Sequence, residues 1–401
     1  MNRLHAARVA LFVGAAIWGA SAQADGIVDA DALRGAGYVQ HWQAQVPLGQ
    51  GGRVAALYRL HDNLYLTTSE GEVIAVHPHV GLVRWARRIT EPTYAIFRPT
   101  HVGQTGPVVF ATTSGTTILD RYSGEERRMI PATFAPGTAA AADATRLFVG
   151  SSDGHLYAMR WYDPKQPKAV RLWRAMTGGV VRAAPVLVDD DHLYCASTSG
   201  AVYCCTADEK REQWKFQAEA AIAGDLAVEP QGVYVASADR SVYRLDPQTG
   251  VQRWRRRLQE ILEEGPVVLG GTVFQHVPRS GMFAIDAEYG DVLWTLPQGR
   301  QVVARNGGQV CMITEDNALV AVDAKTGKAT GKADLPTPIL AAVNREDAAI
   351  YLVTPLGQLF CARPIGDKSL TPADLEAAHA TLNLPPKGRP ADTQPTTGAS
   401  Q

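Results

Sequence analysis

VYVASADRSVYRLDPQTGVQRW, residues 233–254, is followed forty residues later by VFQHVPRSGMFAIDAEYGDVLW, residues 273–294. Each stretch holds a β-prone run, a short turn, a second β-prone run ending in aspartate, a turn with glycine, and a tryptophan. Asp246, Gly250 and Trp254 thus correspond to Asp286, Gly290 and Trp294. Used as a register mark, the aspartate position recurs at His77, Asp120, Arg160, Thr206, Asp246, Asp286, Asp323 and Arg363, at spacings of 43, 40, 46, 40, 40, 37 and 40 residues. A period of about 40 residues sustained over most of a chain is that of one four-stranded blade per repeat. The expected fold is all-β: an eight-bladed β-propeller of four-stranded antiparallel blades, packed as one cooperative domain.

Glycine stands four places after the mark at Gly81, Gly124, Gly250, Gly290 and Gly327, where a tight turn before the outermost strand needs a positive φ. Tryptophan stands eight places after it at Trp85, Trp214, Trp254 and Trp294, and Trp173 joins the series once five extra residues around positions 163–168 are allowed. An indole at the same place in each blade is fold architecture, packed between neighbouring blades. Arg128 and Gly331 occupy that place in the second and seventh copies, which predicts faster amide exchange there than in the fifth and sixth. The eighth copy, residues 349–364, lacks an outermost strand, while residues 38–47 carry Trp42 ahead of the first full copy. The N-terminal segment is therefore expected to supply that strand, closing the ring and removing its exposed sheet edges. Trp161 lies outside the register beside Tyr162, and this pair is the candidate for an exposed contact.

At 401 residues and 46% hydrophobic content the chain can bury a large core, and no internal segment reaches the ~20 apolar residues of a membrane helix. The N-terminus differs: Arg3, His5 and Arg8 precede an apolar run over residues 9–20, and Ala20-Ser21-Ala22 supplies small residues for a signal peptidase. Residues 1–24 read as a signal peptide cleaved near Ala22 or Ala24, with no cysteine at either position for a lipid anchor. The mature protein is expected to be periplasmic or secreted, unanchored and monomeric. Its 37 basic and 40 acidic residues leave a formal charge of −3, which favours neither nucleic acid nor an anionic membrane. Residues 25–365 are assigned to the propeller. Residues 366–384 hold a helix start, Thr371-Pro372-Ala373-Asp374, and an apolar stripe of Leu375, Ala378 and Leu382. That helix suits a cap on the propeller's own surface better than a docking element for a partner, and residues 385–401 read as a disordered tail.

The aspartate, the Thr-Gly or Tyr-Gly turn and the tryptophan, as in Leu245-Asp246-Pro247-Gln248-Thr249-Gly250-Val251-Gln252-Arg253-Trp254, resemble the repeat of PQQ-dependent enzymes across residues 38–364. Two branches of that family bear on function. Resemblance to the quinoprotein dehydrogenases implies PQQ and calcium; resemblance to the BamB-like proteins implies a periplasmic scaffold that assists outer-membrane protein assembly. The blades are short, with their largest insertion near residues 161–168, and so resemble the scaffold branch. BamB-like proteins typically carry a lipid-anchor cysteine, which residues 1–24 do not contain. The leading expectation is a non-catalytic scaffold for an envelope protein or peptide. The alternative is a PQQ-dependent oxidoreductase with a reduced site, and a carbohydrate or cell-surface binding module stands third.

Cys204-Cys205 matches the vicinal disulfide that some quinoprotein dehydrogenases place against the quinone. Consecutive side chains on a strand point to opposite faces, however, so the pair reads as buried thiols. With Cys195, Cys311 and Cys361 the count is odd, and at least one thiol is expected to be free. His77-Pro78-His79 offers two imidazoles where zinc wants three or four ligands, and reads as a solvent-exposed turn. Asp189-Asp190-Asp191 reads as a solvated turn rather than a calcium site. The basic runs Arg87-Arg88, Arg127-Arg128 and residues 253–257 read as edge-strand charges, or as an electropositive rim for an acidic partner. Heme-attachment, phosphate-loop and nucleophile-elbow motifs do not occur, and no catalytic, cofactor-binding or metal-ligating residue is assigned.

Overall fold

The computed structural model describes residues 27–165, 168–336 and 338–385; the segment read as a signal peptide and residues 386–401 of the tail lie outside them. Eight four-stranded antiparallel sheets follow one another along the chain. Blade 1, residues 54–88, has the strands Val54–Leu60, Asn63–Thr68, Glu72–Val76 and Val83–Arg88. Blades 2 to 7 occupy residues 100–131, 136–176, 186–217, 227–257, 267–296 and 299–334. Blade 8 takes Leu340–Ala341, Ile350–Val353 and Gln358–Pro364 from the end of the ring, and its fourth strand, β1 (Tyr38–Gln45), from the beginning. Tyr38 pairs with Pro364 and Gln45 with Gln358, so the expected closure between the two ends of the ring is present.

First strands of neighbouring blades lie against one another around the axis. The middle strands are buried on both faces, as in Asn63–Thr68 and Val108–Thr112, where every residue is buried. The core is a series of clusters between blades; Leu64, Leu66 and Ile74 of blade 1, for example, pack on Tyr351, Val353 and Leu359 of blade 8. Burial on both faces is why the apolar runs are longer than strict alternation would give.

The tryptophans clasp each blade to the next. Nε1 of Trp42, Trp85, Trp173, Trp214, Trp254 and Trp294 donates to the backbone carbonyl of Pro78, Arg121, Ala207, Pro247, Ala287 and Ala324 in turn, at 2.9–3.2 Å. Each acceptor directly follows the register residue of the next blade. Gly290 has φ +78°, and a Cβ there would lie 2.6 Å from Cδ2 of Trp254, so turn geometry and indole packing both exclude a side chain. The same contact with the preceding blade's indole recurs at Gly81, Gly124, Gly250 and Gly327. The aspartate caps this turn: Asp246 Oδ1 accepts from the backbone N–H groups of Gln248 and Thr249, and Asp286 Oδ1 from those of Glu288 and Tyr289. Asp120 and Asp323 do the same in blades 2 and 7.

The two copies without tryptophan have substitutes. Arg128 donates from Nη1 to the carbonyl of Trp161, the equivalent acceptor in blade 3. The space left by Gly331 goes to α1 (Ala30–Gly35): a Cβ at position 331 would meet the Gly35 carbonyl at 2.3 Å. Asp29 caps α1 by accepting from Ala32 N–H, and Leu33 enters the core between blades 7 and 8. The same geometry corrects the reading of Trp161 as an exposed contact. It follows the register residue Arg160, is 5% exposed, and donates from Nε1 to the Asp143 carbonyl at 2.9 Å; its neighbour Tyr162 stays open at 38%.

The second helix, α2 (Pro372–Ala380), begins at Thr371 in a capping box with Asp374. Leu375, Ala378 and Leu382 are half-buried, and the Leu382 carbonyl accepts from Arg84 of blade 1. Among the described residues no helix is long and apolar enough to cross a membrane.

Candidate functional site

Because the strands alternate in direction, the ring has two distinct faces. Turns joining first to second and third to fourth strands form one, called the upper face; second-to-third turns and the crossovers between blades form the lower.

A cavity of about 430 Å³ opens on the upper face between blades 8 and 1. Blade 1 contributes Arg59 from its first strand, His61 and Asp62 from the turn after it, His77 and His79 from its last turn, and Arg84 from its fourth strand; blade 8 contributes Glu346 and Asp347. The histidine pair is thus not a simple solvent-exposed turn, since its residues line a cavity together with Glu346 and Asp347 of blade 8. His77 is half-buried, and burial followed by the charge of Arg84 pulls its pKa down to about 3, so it is neutral at physiological pH. His77 Nδ1 accepts from the His79 backbone N–H at 3.3 Å, which leaves the ring proton on Nε2. His79 is exposed, and its Nδ1 lies 2.7 Å from Nη2 of Arg363.

Each acid of this cavity has at least one partner, but the buried Oδ1 of Asp62 accepts no hydrogen bond and lies 3.9 Å from Nη1 of Arg121. Asp347 Oδ1 accepts from Asn344 Nδ2 at 2.6 Å and from Ala349 N–H at 3.0 Å, and its Oδ2 lies 3.4 Å from Arg363. Asp62 Oδ2 accepts from the Tyr122 hydroxyl at 2.6 Å, and Glu346 accepts from the His61 backbone N–H at 3.3 Å. Behind them runs a polar chain: Asn63 donates to the Tyr65 hydroxyl, which lies 2.8 Å from His101 Nε2, and His101 Nδ1 lies 3.2 Å from His61 Nδ1. Among the described residues no group of three or more His, Cys, Asp or Glu is placed to hold a metal.

Inside the ring, Arg98 and Asp225 form an ion pair at 3.4 Å. Arg98 belongs to the crossover into blade 2 and Asp225 to the crossover into blade 5, so the pair spans the interior. Asp225 also accepts from Ala184 N–H at 2.7 Å. Arg345 reaches the same pair: burial and the like charge of Arg98 lower its pKa, while Glu229 and Asp225 oppose that shift. A quinone between blades 2 and 5 would meet this ion pair. Nor do the cysteines suit one, because Cys204 enters the core between blades 4 and 5 whereas Cys205 enters that between blades 3 and 4. Burial pushes these two thiols up to about 12 and about 11, and all five cysteines are unpaired and buried. The residues present do not fit a quinone stacked on a vicinal disulfide.

The remaining candidates are structural ties. Asp189 Oδ1 accepts from Asp191 and His192 N–H groups and lies 2.7 Å from His192 Nδ1; burial lowers the His192 pKa, but hydrogen bonds with Asp189 and Gln248 raise it overall. Asp190 pairs with Arg146, which also holds Asp143 and Asp208, and so ties the upper turns of blades 3 and 4. In the basic runs, Arg87 reaches Glu126 at 3.0 Å and Arg256 reaches Asp291 at 2.7 Å, both in the next blade. Arg127 and Arg253 pair within their own blades with the register residues Asp120 and Asp246. Large exposed apolar side chains occur on both faces: Tyr162, Val188, Val251 and Tyr289 above, Tyr94, Ile261 and Leu356 below.

The fold and its interior define a closed eight-bladed propeller of the PQQ-like repeat class. Residues 20–166 and 165–365 match the family model described as outer membrane protein assembly factor BamB, and the chain belongs to that family. It is 26% identical over 198 residues to the outer membrane protein assembly factor BamB of Bordetella pertussis strain Tohama I, covering 46% of this chain and 50% of that protein. Against the protein of the same name from Shewanella oneidensis strain MR-1 it is 21% identical over 204 residues, again 46% and 50%. The matched stretch spans about half the length of these curated relatives. Among solved structures, BamB from Moraxella catarrhalis superposes with a TM-score of 0.65 at 16% identity, over 82% of this chain and 100% of that one. The computationally designed Ika8 protein gives 0.63 at 17%, over 80% and 99%. At these identities the structural likeness establishes the fold.

Proposed function

We propose that this chain is an exported, non-catalytic scaffold that holds a protein or extended peptide partner in the cell envelope. The observation that carries the reading is the BamB family match over nearly the whole ring, together with relatives named as outer-membrane assembly factors. The geometry agrees with it: indole clasps give a rigid frame, the interior is crossed by Arg98 and Asp225, and contact-ready apolar side chains lie among polar turns on the faces. Export after removal of residues 1–24, and action as a monomer, belong to the same proposal.

Photo-crosslinking in intact cells tests it. A photo-activatable residue is installed singly at Tyr162 and Tyr289 on the upper face, and at Tyr94 and Ile261 on the lower. One face is expected to yield a discrete adduct with an envelope protein. Absence of any discrete adduct from all four positions contradicts the reading.

A further inference from the structure

The upper-face cavity contains a buried cation whose fork meets no hydrogen-bond acceptor, although the charge of Asp347 acts on it through space. Arg59 is only 8% exposed, yet its Nε and Nη1 atoms have no hydrogen-bond partner, and among the described residues no carboxylate lies within ion-pair distance. The ring centre of Tyr351 lies 5.9 Å from the Arg59 guanidinium carbon. Arg84, also 8% exposed, spends its terminal nitrogens on the carbonyls of Leu382 and Asp62, but its Nε likewise has no partner. Asp347 is held by Asn344, Ala349 and Arg363, whereas Asp62 is held through Oδ2 by Tyr122 and keeps a buried Oδ1 without a hydrogen bond, its charge acting on Arg84. A guanidinium withdrawn from water is tolerated when an anion meets its fork, and is costly when none does. His77 adds a neutral imidazole whose Nε2 carries the ring proton and is a donor.

We propose that the cavity between blades 8 and 1 binds a small oxyanion, carboxylate or phosphate, with Arg59 as its principal ligand and Arg84 and His77 beside it. The carbonyl of Leu382 on Arg84 puts the C-terminal segment at the rim, which favours a small ligand over a partner's side chain. The site is independent of the scaffold reading, since it lies in blades 8 and 1 and needs no protein partner.

The experiment is calorimetric titration and thermal melting of the full mature chain at low salt, with inorganic phosphate in one arm and succinate in the other. Saturable binding in one arm, with a rise in melting temperature, is expected, and the arm that responds identifies the ligand's chemistry. Arg59→Met should weaken binding at least tenfold, yet without ligand it should melt at or above the wild type, because an unpaired buried cation has been replaced by an apolar chain. Arg59→Lys keeps the charge and loses the fork, and should also bind more weakly. The inference is overturned if neither probe saturates, if Arg59→Met binds as the wild type does, or if ligand-free Arg59→Met melts well below the wild type.

Discussion

A methyl group at position 290 would stand 2.6 Å from the Trp254 ring on a backbone at φ +78°. Gly290→Ala should therefore destabilise the protein by about 2–4 kcal/mol, combining left-handed strain with overpacking. Gly271→Ala, with a similar φ of +77° and open space around it, should cost only about 1 kcal/mol. Denaturant midpoints at unchanged slope measure both. Electrostatics at this scale predicts a pH effect on the lower face. His276, 3.6 Å away, and Arg300 at 2.9 Å hold the Glu264 carboxyl at about 2, below its ordinary 4.5. A depressed folded-state pKa means that this stabilisation is complete above pH 4.5 and fades as pH falls toward 2. The side chain is half-exposed, so solvent screening reduces the effect. Acid unfolding followed by circular dichroism should be shallower across that window in Glu264→Gln. Aspartate, glycine and tryptophan were legible in the sequence because each repeats at a fixed local offset. Arg128 stands at the tryptophan place, but its ability to reach the same carbonyl was not, because that is a matter of side-chain length across space. Trp161 carried one usable signal, its place directly after Arg160, where the other blades present the clasp's acceptor.

At the scale of elements, the first strand decides whether the ring is closed. β1 pairs along its length with Gln358–Pro364, and Trp42 clasps Pro78 of blade 1. Deleting residues 25–48 should lower the melting temperature sharply, because it removes α1, an outer strand and one clasp together; an unchanged melt would refute the closure. That closure was legible from a missing strand at one end and a spare Trp42 at the other. The role of α1 was not, because a helix of six residues has no periodicity to read and its seat at Gly331 lies some 300 residues away in sequence. The stripe of Leu375, Ala378 and Leu382 was readable from its spacing, though not that it leads to a contact with Arg84.

At the scale of the molecule, ring closure creates what no local window contains. Arg59 and Asp347 share a cavity although 288 positions separate them, because blade 8 meets blade 1. Arg98 and Asp225 meet across the interior for the same reason. The repeat therefore specified the frame, while the cavity and the crossed interior appeared only in three dimensions. The proposal at this scale is that the BamB-family ring works through its surface, with no quinone on its axis. Calorimetric titration of the purified mature chain with PQQ, with and without calcium, tests it most directly. The account predicts no saturable heat in either condition. Saturable binding at micromolar concentration or tighter, strengthened by calcium, would contradict it and return the ring to the quinoprotein dehydrogenases.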